Sequence, residues 1–122
     1  MLQDLIEREV LIEASREQVW AALTAWRDRG ARQAVVRSAE PPSFLAYRWA
    51  RSADTDLAAG NSTLVEFSLT DLFAGMLLRV VETGFASLHV TQAEQDKALQ
   101  QSADGWQSEL AELKEHAERP AV

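Results

Sequence analysis

Between Thr91 and Glu118 the chain carries one apolar stripe along an otherwise polar segment. Trp106, Leu110, Leu113 and Ala117 recur at the spacing of one helical face, with Glu109, Glu112, Lys114 and Glu115 off it. Thr91 with Glu94 three residues on forms a capping box that opens this helix. A helix with one apolar face has to lie on a platform, and that requirement governs the reading of everything before it. Gly105 interrupts the stripe at a cost of about 1 kcal/mol relative to alanine. It marks either a kink or a close approach that lets Trp106 reach the platform.

The platform is written in alternation. Ile6, Val10 and Ile12 share a parity within 2–13, against Glu7, Glu9 and Glu13, as in a strand with one wet face. Ser15 and Gln18 form another capping box, and Val19, Trp20, Leu23 and Trp26 follow at helical spacing, predicting a helix over about 16–25 that stops near Gly30. A short strand is expected at 32–39, halted by Pro41-Pro42, which cannot donate to a ladder. The next strand is expected at 44–50, with Leu45, Tyr47 and Trp49 on one face. A polar, mobile loop is expected over 51–62, a strand over 63–69, a turn over 70–75 and a last strand over 76–83. Leu78, Val80 and Glu82 share one face of that last strand. Consecutive strands with short links make an antiparallel meander. The whole is an α+β chain with helices on one face of a sheet.

Composition narrows the function classes. The 122 residues fit one domain, 1–122, able to bury a real core. There is no cysteine, which excludes disulfides, thiolate metal sites and cysteine nucleophiles. A formal net charge of −7 argues against nucleic acid or an anionic membrane as partner. No apolar run approaches the roughly 20 residues of a membrane span, and the N-terminus lacks the basic-then-apolar order of a secretory signal, so a cytoplasmic protein is expected. The two histidines, His89 and His116, stand in no metal-ligand spacing, and no glycine-rich phosphate loop or nucleophile elbow occurs. No cofactor is expected.

Five strings in order carry a resemblance: REVLIEASREQVWAALT from Arg8, EPPSFLAYRW from Glu40, STLVEFSL from Ser62, LRVVETGFASL from Leu78 and GWQSELAELKEH from Gly105. Together they are similar to the SRPBCC, or START-like helix-grip, superfamily, and within it to homologues of the activator of the heat-shock-protein-90 ATPase. The resemblance implies a curved antiparallel sheet gripping the long C-terminal helix, with a hydrophobic cavity between them. Relatives usually carry a further hairpin after the first helix. Here only WRDRGARQA, Trp26 to Ala34, is available, so a sheet of about five strands with an open edge near 32–39 is expected. Arg32 and Arg37 would discourage pairing at that edge, and a second copy would equally cover it.

On this frame the candidate ligand-lining residues are Tyr47, Trp49, Phe67, Glu82, Phe85, Trp106 and Leu110. Packing of these residues against one another is the plainer reading. Glu82 is the acid of most interest: on the inner face it would be desolvated unless paired with backbone or an arginine, and Arg48 is the other candidate polar end. Leu72, Phe73, Met76 and Leu77 cluster around an expected turn, where polar residues belong. They either fold back over the core or meet another subunit. The function expected is binding of a hydrophobic small molecule without a catalytic constellation. The alternatives are an interaction or chaperone-associated protein acting through a homodimer or a partner and, less readily, a cyclase or hydrolase using Glu82.

Overall fold

A computed structural model of the chain describes residues 5–28, 34–50 and 62–119. The expected loop over 51–61 and Arg32 lie outside them. The first capping box forms as written: the Gln18 N–H donates to Ser15 Oγ at 3.1 Å, and the Ser15 N–H donates to Gln18 Oε1 at 2.9 Å. The helix it opens, α1 (Arg16–Asp28), follows strand β1 (Leu5–Ile12) and continues past Ala25, where the sequence reading ended it. Strands β2 (Ala34–Glu40), β3 (Phe44–Ala50), β4 (Ser62–Leu72) and β5 (Gly75–Thr83) come next. A single 3-10 turn, Phe85–Ser87, then leads into α2 (Gln92–Glu118).

The five strands form one curved antiparallel sheet in the order β1-β5-β4-β3-β2. Every neighbour after β1 is a sequence neighbour, as expected of a meander. The exception, β1 against β5, joins the two ends of the sheet's sequence. Two expectations are corrected. Ser62, assigned to the loop, starts β4 and is fully buried. The turn expected over 70–75 shrinks to Phe73-Ala74, because Thr70, Asp71 and Leu72 continue the ladder and Leu72 pairs with Gly75. Backbone pairing outweighed the polar turn signal carried by Thr70 and Asp71.

β2 is the open edge that the short link predicted. Its register shifts between Val36 and Ser38, so Arg37 is an extra residue opposite β3. A bulge of this kind bends an edge strand and spoils it as a template for another chain.

The core lies between the sheet and the two helices. Ile6 and Ile12, Leu45 and Tyr47, Val65 and Phe67, and Leu78 and Val80 turn inward and are buried, which is the alternation read from the sequence. From α2, Trp106, Leu110, Leu113 and Ala117 complete it, joined by Ala98. Thr91 caps α2, its side chain accepting from the Glu94 N–H at 3.2 Å. Neither a break nor a close contact explains Gly105. α2 is continuous through it, and a Cβ placed there meets nothing within 4 Å. Gly105→Ala therefore raises stability by about 0.5–1 kcal/mol, read as a small rise in Tm by calorimetry.

The far end of α2 is tied to the β1–α1 corner. Glu118 Oε2 accepts the Lys114 ammonium and, at 2.7 Å, the backbone N–H of Glu13. The Lys114 hydrogen bond first, then that of Glu13, hold the Glu118 carboxyl below its ordinary value, with burial opposing them. A depressed folded-state value adds stability above the unfolded value and loses it as the pH falls through the folded one. Protection of the amides in the last turn of α2, taken relative to the intrinsic exchange rate at each pH, should therefore fall as the pH drops below the ordinary glutamate range, and Glu118→Gln should remove that pH dependence.

Candidate functional site

The centre of the inner face holds one acid. Glu82 sits in β5 between Val80 and the strand end, directly opposite Ile6 of β1 and Val65 of β4. Alternation turns it toward the helices, and it is only 2% exposed. A buried carboxylate is costly unless its oxygens are hydrogen-bonded. Here each oxygen has a donor: Thr63 Oγ1 donates to Oε2 at 2.5 Å, and Trp106 Nε1 donates to Oε1 at 2.8 Å. Thr63 reaches it because it stands two residues before Val65, diagonal to Glu82 on the same face of the ladder. Trp106 reaches it from the helix. One side chain thus fastens β4, β5 and α2 together, and neither donor is the backbone or arginine partner expected. Among the described residues Glu82 has no cationic partner.

Aromatic rings surround the polar knot. Trp106 meets Trp49 edge-on, with centroids 5.6 Å apart and planes at 78°. It meets Phe67 in the same way at 5.5 Å and 81°. Tyr47 lies 5.8 Å from Trp49 and 6.1 Å from Phe67. Edge-to-face pairs of this kind bring the positive rim of one ring to the negative face of the next. Tyr47, Phe67, Phe85 and Leu110 are buried, whereas Trp49 is partly exposed, so the cluster reaches solvent at Trp49.

All seven residues named from the sequence therefore fall on the sheet–helix side of the structure. Trp49, Phe67, Glu82 and Trp106 are in direct contact, with Tyr47 completing the ring cluster. Arg48 is not brought to them. It points to the opposite face of β3, where its Nη1 donates to the carbonyl and to Oγ of Ser62, both at 3.3 Å. Thr63 was missed. Its only sequence signal is a β-branched hydroxyl at an inward position of an otherwise apolar alternation.

A separate open depression of about 430 Å³ lies at one end of the sheet. The β1–α1 corner, Glu13 to Arg16, and the β4–β5 turn, Asp71 to Met76, form its walls. Arg16 links the two through Asp71, its guanidinium donating to Oδ2 at 2.7 Å, and it also donates to Ser43 Oγ at 3.0 Å and the Leu69 carbonyl at 3.2 Å, which lie outside the lining. Of the apolar cluster around the turn, Met76 joins the core, Leu72 is half exposed and Phe73 is fully exposed. Leu72 and Phe73 do not fold back over the core.

No group of three His, Asp or Glu side chains that could hold a metal occurs among the described residues. No helix among them is long and apolar enough to cross a membrane.

This sheet-and-helix arrangement has counterparts. Protein MLL2253 from Mesorhizobium loti shares it with a TM-score of 0.74 and 20% identity, over 97% of this chain and 99% of that one. The Aha1 dimer from Colwellia psychrerythraea shares it with a TM-score of 0.72 and 16% identity, over 95% and 97%. DynU16, of the dynemicin biosynthetic locus, shares it with a TM-score of 0.67 and 21% identity, over 96% of this chain but 48% of its own. At these identities the likeness is one of fold. No curated protein matches the chain. The family model for Activator of Hsp90 ATPase homolog 1-like protein matches residues 25–118, from within α1 to the end of α2, and so takes in β2 to β5 and every residue of the Glu82 cluster. By that match the chain belongs to the Activator of Hsp90 ATPase homolog 1-like family, within the SRPBCC helix-grip superfamily.

Proposed function

We propose that this chain binds an apolar small molecule between the sheet and α2, with Glu82 as the polar anchor. The observation that carries the reading is the buried carboxylate itself. The acid is buried without a cationic partner among the described residues, and the two donors it has, Thr63 and Trp106, leave acceptor capacity on both oxygens. A ligand bearing a hydroxyl or amine would use that capacity, while its apolar body lies against Tyr47, Trp49, Phe67, Phe85, Trp106 and Leu110. Entry is by way of Trp49, the partly exposed member of the cluster. A protein of the same fold in a biosynthetic locus, DynU16, is consistent with such a role.

The test uses 2-naphthol, an aromatic with one hydroxyl, and naphthalene-2-carboxylate, which has the same rings and an anion. Addition of 2-naphthol should shift the Trp106 Nε1–H resonance. The carboxylate should leave it in place, because two anionic groups would face each other. Glu82→Gln should weaken 2-naphthol binding about tenfold, the loss of one hydrogen bond to an acidic group. An indole resonance indifferent to both compounds would remove the proposal.

A second reading is favoured by the shape of the β4–β5 turn: the chain pairs with a copy of itself. Leu72 and Phe73 have no place in the core, and the Aha1 protein of the same fold from Colwellia psychrerythraea is a dimer. Pairing and ligand binding occupy different surfaces and are compatible.

A further inference from the structure

The fold satisfies Glu82 with neutral donors alone: the Thr63 hydroxyl at 2.5 Å and the Trp106 indole N–H at 2.8 Å. Two neutral hydrogen bonds offset part of the cost of burying a carboxylate, whereas a hydrogen-bonded cation offsets far more. The described cations are engaged elsewhere. Arg16, Arg79, Lys114 and Arg119 each pair with other acids. Arg48, one strand over from Thr63, points to the opposite face and bonds Ser62.

The rings beside the acid favour the same sign of charge. Trp49 lies opposite Thr63 in the ladder, and Phe67 stands two residues beyond Val65, the partner of Glu82, so both share its inner face. Both stand edge-on to Trp106, with centroids 5.6 and 5.5 Å away. The face of an aromatic ring is electronegative and attracts a cation within about 6 Å of its centroid. The chain as a whole carries a formal charge of −7, so its field also draws cations and repels anions.

We propose that the ligand of this site is an organic cation: a primary or secondary ammonium on an apolar body of about the size of one or two rings, with its N–H groups donating to Glu82 and its body lying against Trp49, Phe67 and Trp106. The inference rests on the reading of the space between sheet and α2 as a ligand site, and it narrows the polar end of that ligand to an amine. A hydroxyl gives the acid a third neutral donor. An ammonium gives it a donor and the opposite charge together.

Naphthalen-2-ylmethanamine and naphthalen-2-ylmethanol differ only in that group, and at pH 7 the amine is protonated as a lysine side chain is. Each is titrated into the full chain while the Trp106 Nε1–H resonance is followed. Both should shift it, the amine with a Kd about tenfold lower. Glu82→Gln should bring the two Kd values within about twofold of each other, since the amide carries no charge. An alcohol that binds as tightly as the amine overturns the cation class and leaves the apolar-ligand reading standing. If neither compound moves the resonance, both readings fall and Glu82 serves the fold alone. An amine that shifts surface resonances but not that of Trp106 also overturns the proposal, as does a preference for the amine that persists in Glu82→Gln. The ratio in the wild-type chain decides the ligand class even where the variant misfolds.

Discussion

Trp106→Ala lowers the unfolding free energy by about 3–5 kcal/mol, the range for removing a large buried aromatic. Three losses combine in this one substitution. The ring leaves a cavity between α2 and the sheet, where it is now 3% exposed. Its edge contacts with Trp49 and Phe67 go. Glu82 Oε1 loses its donor inside the core, a desolvation cost of about 1–3 kcal/mol. For a chain with ordinary total stability of about 5–15 kcal/mol, much of the margin disappears. Substitutions at Glu82 separate the polar from the apolar part. Glu82→Leu strands both the Trp106 N–H and the Thr63 hydroxyl and should cost several kcal/mol. Glu82→Gln keeps one oxygen for Trp106 and can donate its amide to Thr63 Oγ1, so it should cost less than about 1 kcal/mol. Urea unfolding curves for the three variants check the order. If Glu82→Leu were as stable as Glu82→Gln, the three-element polar knot would contribute nothing to the fold.

The second large effect comes from the smallest change. Gly75→Ala places a Cβ 2.6 Å from the carbonyl oxygen of Ile12 and 3.2 Å from its carbon, both backbone atoms that cannot swing away. Gly75 also has φ +150°, which L-residues rarely adopt. The backbone conformation alone costs about 1–3 kcal/mol, and relief of the clash requires the β4–β5 turn to lift from the β1–α1 corner. A fall in Tm of roughly 10 °C is expected by calorimetry. The comparison with Gly105→Ala is the informative one: the same chemical change stabilises in an open helix face and destabilises where two backbones meet.

The contrast also shows what could be read in advance. Strand faces were legible because alternation is a local property: Val65, Phe67 and Leu69 announce their side without help from the rest of the chain. The capping box of Ser15 and Gln18 and the Thr91 cap of α2 were legible for the same reason. The α2 stripe was legible, and Trp106, Leu110 and Leu113 face the sheet as expected. Partners distant in sequence were not. Glu82 could be placed on the inner face, but its donors lie 19 and 24 residues away, and only the register of β4 on β5 and the rotation of α2 select them. The bulge at Arg37 left no mark in composition or spacing. The length of the β4–β5 turn was misjudged because Thr70 and Asp71 look like turn residues, whereas the ladder extends through them.

The pairing of β1 with β5 has a consequence for how the protein is made. Strands β2 to β5 can each close on a neighbour soon after it is synthesised. β1 cannot: its register runs from Leu5 against Thr83 to Ile12 against Met76. At synthesis rates of about 5–20 residues per second, the ribosome takes roughly 4–15 s to deliver that partner. During those seconds Ile6, Val10 and Ile12 travel as an apolar strand with nothing beside it. The emerging chain is thus most exposed to mispairing at its beginning, and a chaperone that holds nascent chains would find its target in the first strand rather than in the last.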